Sequence, residues 1–215
     1  MSRAALQIAA CAIALGTAAG CSAVMARKIP ETHRYQLVTQ PISTTVPSEV
    51  RLEVRAVSGG APYQDTGLAL QTSEYRIDSY RFHRWIAPPT DMVGDRIKSI
   101  VYAPSSAAPT PLDAPTAVLE ADILAFQQVQ EKNGQSSGLV DIQFCLYPSG
   151  VFQRALWCRE LKKDTPAASD GPEAAAAAIN ASLNDVLQQF ASALPSAVAE
   201  IPRSQSPAPA AQGPM

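Results

Sequence analysis

Histidine is almost missing from these 215 residues, with only His33 and His83 present. So little imidazole leaves few ways to build a histidine-based acid–base pair or a metal centre. An excess of charge of one sign is missing as well. Against 17 Lys and Arg stand 19 Asp and Glu, a net charge of −2, and no basic run exceeds Arg27-Lys28 or Lys162-Lys163. Nucleic-acid binders carry a basic surface, so the composition argues against that class. No apolar run approaches the roughly 18–20 residues of a membrane-spanning helix, except the stretch that begins at residue 4. What remains is 47% hydrophobic and 17% charged, enough to bury a core in one domain of ordinary size with tails. The 18 prolines exceed the usual level of about 5% and point to loops and a Pro-rich end.

The apolar exception has the order of a secretory signal. Met1-Ser2-Arg3 supplies a positive charge, residues 4–19 are apolar or small apart from Gln7 and Thr17, and Ala18-Ala19-Gly20 precede Cys21. Small side chains before a cysteine resemble the bacterial lipobox. In such signals the cysteine thiol receives a diacylglycerol, and cleavage makes it the new N-terminus. Cys21 is therefore the expected lipidation site. An ordinary signal with an incidental cysteine, or a short membrane anchor, is the plainer reading. Acyl chains on an N-terminus hold a protein at a bilayer without a spanning helix. Ser22 stands where an aspartate would resemble an inner-membrane retention signal, which favours the periplasmic face of the outer membrane over the inner one.

Residues 21–33 then read as a lipidated tether, 34–194 as the folded domain, and 195–215 as a disordered Pro/Ala-rich tail, after a signal peptide at 1–20. Within the domain, Tyr35 to Val38 suggests a short strand. Val50 to Val57 alternates apolar and charged residues like a half-buried strand. Leu68 to Gln71 and an aromatic run from Tyr75 to Trp85 suggest two more strands. Pro88-Pro89 stops the second and presets a helix to about Tyr102, since the first helical turn needs no amide donor there. Thr116 to Gln130, Gly138 to Tyr147 and Arg154 to Leu161 form an expected meander, with Asn133-Gly134 as a turn signal. Asp170-Gly171-Pro172-Glu173 has the layout of a capping box. Ile179, Leu183, Val186, Leu187, Phe190 and Leu194 then recur at helical spacing, and Pro195 is expected to end that helix. The fold class that follows is α+β: a mainly antiparallel sheet with two helices packed on one face.

Catalytic candidates are few. His83 would need a nucleophile, yet no G-x-S-x-G turn and no free cysteine accompany it. Glu120 and Asp122 share a strand face, which a solvated surface explains equally well. Gly59-Gly60 lacks the lysine and helix of a phosphate loop. Asn180-Ala181-Ser182 matches a glycosylation sequon but sits mid-helix. The reading is therefore of a non-enzyme, without metal or cofactor.

Cys11 leaves with the signal and Cys21 carries lipid, so Cys145 and Cys158 remain for a disulfide in an oxidising compartment. Val140, Ile142, Phe144 and Leu146 form the apolar face of one strand, which turns Cys145 to the other side. Ala155, Trp157 and Leu161 do the same for Cys158. A register that sets Leu146 against Trp157 also sets Cys145 against Cys158, because opposed residues share a face. A tighter turn at Ser149-Gly150 would set Cys145 against Arg154 instead.

One resemblance adds to this. The lipobox, the Tyr35-x-Leu37 motif near the mature start, the strand Tyr80-Arg81-Phe82-His83-Arg84-Trp85 running into Ala87-Pro88-Pro89, and the Ala-rich last helix are together similar to the ABC-type transport auxiliary lipoproteins, the PqiC-like proteins. The similarity spans about residues 33–194. It implies a membrane-anchored periplasmic lipoprotein that serves as a non-catalytic auxiliary component of an ABC/MCE-type envelope lipid transport system. An MCE-domain protein or an ABC permease complex would be its partner, and a homo-oligomer is compatible with that role. The motif residues Tyr35, Leu37, Tyr80, Trp85, Pro88 and Pro89 read first as structural. The alternative is an envelope-assembly or cell-wall-synthase-activating lipoprotein.

Overall fold

Alternation of apolar residues from Ala117 onward produces a strand of 15 residues, and the other strands are arranged around it. The computed structural model describes residues 30–38, 40–42, 44, 50–103, 116–131, 134–149 and 154–201. The signal, Cys21, most of the tether, the Pro104 to Pro115 loop and residues 202–215 lie outside them.

In chain order the elements are β1 (His33–Tyr35), β2 (Arg51–Val54), β3 (Ser58–Gly59), a 3-10 turn (Ala61–Tyr63), β4 (Gly67–Ser73), β5 (Arg76–Trp85), α1 (Pro89–Val101), β6 (Thr116–Gln130), β7 (Ser136–Pro148), β8 (Trp157–Pro166) and α2 (Pro172–Ala199). The strands form one sheet in the order β1-β5-β4-β6-β7-β8, with β2 and β3 also on β6. The class is α+β as expected, but the sheet is mixed. β4–β5, β6–β7 and β7–β8 are antiparallel, whereas β1 runs parallel to β5, and β2, β3 and β4 all run parallel to β6.

The parallel half has a simple geometry. β2, β3 and β4 act as one broken strand laid along β6, pairing Arg51 with Thr116, Ser58 with Asp122, and Leu70 with Gln128. The break between Gly59 and Leu70 holds the 3-10 turn. Its Tyr63 is buried and donates its hydroxyl hydrogen to Gln127 Oε1 (2.6 Å), while Gln127 Nε2 donates to Gln71 Oε1 (2.6 Å). A buried amide, a half-buried one and a phenol thus bridge the interruption.

On its other edge β6 pairs with β7 along nearly its whole length, with a bulge between Ile123 and Ala125. Leu124 is the extra residue and is 44% exposed. The bulge changes the phase of the alternation, so that Ala117, Leu119, Ala121 and Ile123 share the inner face with Phe126 rather than Ala125. Opposite them stand Val140, Ile142, Phe144 and Leu146 of β7, all buried. The expected register of β8 is observed: Leu146 faces Trp157, and Cys145 faces Cys158 in a disulfide. The tighter alternative is thereby excluded.

Both helices bury their apolar stripes in a single cluster with the inner face, through Val93, Ile97 and Ile100 of α1 and Ile179, Leu183, Val186, Leu187, Phe190 and Leu194 of α2. Phe144 and Phe190 stack with ring centroids 4.3 Å apart. Two expectations about α2 fail. Pro172 takes the first helical position, so Gly171 (φ 118°) becomes the N-cap and no side chain caps the helix; the capping box does not form. Pro195 lies inside the helix, which continues to Ala199 rather than stopping at Leu194. Burial of Ala197, Val198 and Ile201 beyond it outweighs the one hydrogen bond that proline removes.

α2 approaches the sheet backbone-to-backbone at Gly138 of β7. A Cβ there would sit 2.2 Å from the Ile179 nitrogen and 2.4 Å from the Ala178 carbonyl carbon, so backbone meets backbone. Ser182 Oγ donates to the Gly138 carbonyl (2.6 Å) and also bonds Thr165 Oγ1 (2.7 Å), pinning the same spot. Gly138→Ala is predicted to destabilise the domain by about 3 kcal/mol or more, at or above the upper range of core overpacking. Urea unfolding monitored by circular dichroism measures it, and a loss under 1 kcal/mol would refute the close packing.

Candidate functional site

Of the six motif residues, Tyr35 meets Trp85 and, through His83, Tyr80, where β1 joins β5. β1 pairs with the end of β5, setting His33 against His83 and Tyr35 against Trp85. Trp85 is 1% exposed and meets Phe126 (5.5 Å) and Tyr35 (6.3 Å) edge-on. The Tyr35 hydroxyl and His83 Nδ1 share a hydrogen bond of 2.8 Å, His33 stacks on His83 at 5.0 Å, and Tyr80 meets His83 edge-on. Tyr80 donates its hydroxyl hydrogen to Gln128 Oε1 (2.8 Å). Pro88 is the N-cap of α1 and Pro89 its first residue, with the Pro88 carbonyl accepting from the Asp91 and Met92 amides. Leu37 packs half-buried against the core.

Beyond Tyr35 the chain crosses both helices. The Val38 amide donates to Asn180 Oδ1 (2.9 Å), and Asn184 Nδ2 reaches the Val38 carbonyl (3.5 Å). Arg96 of α1 donates to the Gln40 carbonyl (2.9 Å), and Thr44 Oγ1 donates to the Ala191 carbonyl of α2 (2.8 Å). Sequence reasoning missed this set. Its available signal was a pair of asparagines four residues apart in an otherwise apolar helix, which puts both amides on one face.

The catalytic candidates do not converge. His83 belongs to the aromatic set above. Glu120 is ion-paired with Arg55, and Asp122 accepts from Ser58 Oγ (2.8 Å). Two surface hollows of about 480 and 500 Å³ lie beside the β6–β7 turn and between β8 and α2. Neither is lined by His83, Glu120 or Asp122. Among the described residues no three His, Cys, Asp or Glu side chains are placed to hold a metal ion, and no helix is long and apolar enough to cross a membrane. Cys21 lies outside the described residues. The geometry is that of an N-terminal segment built into the fold.

Comparison with known proteins fits that geometry. The family model for the ABC-type transport auxiliary lipoprotein component matches residues 35–191, from the Tyr35 hydrogen bond to the Thr44 contact on α2. The chain belongs to this family. No curated protein matches it in sequence. Among solved structures it is similar to a protein from Xanthomonas campestris, with 17% identity and a TM-score of 0.66, covering 76% of this chain and 95% of that one. An uncharacterised protein is similar at 15% identity and a TM-score of 0.54, covering 78% and 98%. At such identities these likenesses show the fold alone.

Two predictions follow from the packing. Trp85→Ala should lose about 3–5 kcal/mol, as for other large-to-small core changes, read by thermal unfolding. Tyr35 and Tyr80 both ionise above the ordinary phenol value of 10.0 because burial disfavours the phenolate; Glu173 adds to this at Tyr35, and Asp170 adds to it at Tyr80. The unfolded chain therefore releases these protons first, and stability present below about pH 10 is lost as pH rises beyond it. Tyr80→Phe should make that alkaline loss shallower, as urea unfolding between pH 7 and 11 would show.

Proposed function

We propose that this protein is held by lipid on Cys21 at the periplasmic face of the outer membrane and serves as a non-catalytic docking component of an MCE-type envelope lipid transporter. The family match over residues 35–191 carries this reading, since auxiliary lipoproteins of ABC-type transport are what the matched family comprises. Two features of the chain support it. The order of charged start, apolar run and Ala18-Ala19-Gly20-Cys21 is that of a lipidation signal. The candidate acid–base residues are used to build the fold: His83 joins strands β1 and β5, and Glu120 and Asp122 tie the broken parallel strand to β6. Transport work at such a domain is binding work, in which a partner recognises its surface and the anchor sets where that happens. The partner is an MCE-domain protein or the ABC permease complex, and the non-catalytic role follows from the same reading.

Labelled palmitate should enter the wild-type protein and miss Cys21→Ala, which has lost the only thiol at the cut site. Equal labelling of both would refute the anchor. Crosslinking in intact membranes, followed by purification of the acylated protein, should recover MCE or permease subunits. Recovery of a cell-wall synthase in their place would favour the other kind of envelope lipoprotein.

A further inference from the structure

The segment that leads into the domain lies on its surface. No described residue before Val50 is buried; Tyr35, Leu37, Ile42 and Thr44 are only half-buried, and Val38 is 64% exposed. β1 offers three residues of parallel pairing at the sheet edge. Beyond that pairing, the Tyr35 hydroxyl shares a hydrogen bond with His83 of β5, and a second set runs to the helices: Asn180 and Asn184 grip the backbone of Val38, Arg96 holds the Gln40 carbonyl, and Thr44 reaches the Ala191 carbonyl. That last acceptor is made available by the helix itself. An ordinary residue at 195 would donate its amide to the carbonyl four residues back, at Ala191, and Pro195 has no amide hydrogen to give. Three otherwise odd features of α2, two asparagines on an apolar face and a proline in its interior, thus serve one end, which is to receive this segment.

We propose that the described residues from His33 to Thr44 form a releasable strap, docked across α1 and α2 but free to leave them while the domain stays folded. Few buried apolar contacts and exposed backbone hydrogen bonds are the marks of low local stability. Release changes the reach of the domain from its membrane. With the strap docked, residues 22–32 extend at most about 40 Å; with it free, the chain up to Val50 extends about 100 Å, at roughly 3.5 Å per residue. The anchored domain thus has a short and a long state, and the strap selects between them. The tether role rests on acylation of Cys21 as proposed above, whereas the opening does not.

Hydrogen exchange of the full-length protein separates the two. The Val38 amide, bonded to Asn180, and the Ile86 amide, bonded to the Tyr35 carbonyl, both report docking. They should exchange at least tenfold faster than the ladder amides of β6 and β7. Asn180→Ala with Asn184→Ala should speed both reporters about fivefold more and leave the β6 and β7 rates unchanged. Pro195→Ala supplies a competing donor to Ala191, and should loosen the Thr44 end without lowering the melting temperature. On vesicles of phosphatidylethanolamine and phosphatidylglycerol carrying a dansyl headgroup lipid, energy transfer from the tryptophans of the acylated protein should fall in the double-asparagine variant. Reporters that exchange only together with β6 and β7 would overturn the strap, acylated or not. Fast reporters with unchanged transfer would overturn its control of reach. Failure of wild-type Cys21 to take up palmitate would overturn the tether and is read apart from both.

Discussion

Everything in this fold depends on satisfying both backbone edges of β6. A strand of 15 residues inside a domain presents amides and carbonyls on two sides, and buried backbone groups left unpaired are costly. β7 covers one side as a hairpin partner. The other side is covered piecewise by β2, β3 and β4, all parallel to β6, with the excursion that carries Tyr63 inserted between them. Parallel neighbours need a long crossover, and β5 and α1 supply it. That requirement places α1 over the parallel half, leaving α2 to cover β7 and β8.

The second constraint is the close seat of α2 on β7. Gly138 lets the helix backbone reach the strand, and Ser182 fixes the register of helix on sheet through the Gly138 carbonyl. With α2 set so, Asn180, Asn184 and Ala191 present themselves to the segment after β1, which is drawn over both helices. The aromatic set of Tyr35, His83, Trp85 and Tyr80 closes the corner where β1 meets β5.

Elements that rest on local pattern were legible in the chain. The two helices, the β6 to β8 meander and the core of α2 follow from periodicity, because side-chain spacing reports the buried face whatever lies opposite. The disulfide was legible for the same reason, since face parity on β7 and β8 leaves few registers and apolar matching of Leu146 with Trp157 selects one. Where the reading failed, a local signal was overruled by a neighbour. Asp170 and Glu173 have capping-box spacing, but Pro172 at the first helical position moved the cap to Gly171. Pro195 is a helix stop by itself, but the burial of Val198 and Ile201 carries the helix past it.

By itself the sequence determined which residues are apolar on which face, where the chain turns, and that the faces of β7 and β8 leave only two registers for Cys145. Those are properties of spacing and composition, felt within one element or between neighbours in a hairpin. Tertiary structure alone decided that Val50 to Ser73 runs parallel to β6 and that Asn180, Asn184 and the carbonyl above Pro195 receive the N-terminal segment. Alternation names a face but neither the partner strand nor its direction. A mid-helix asparagine acquires its role only when a chain from 142 residues away is brought against it.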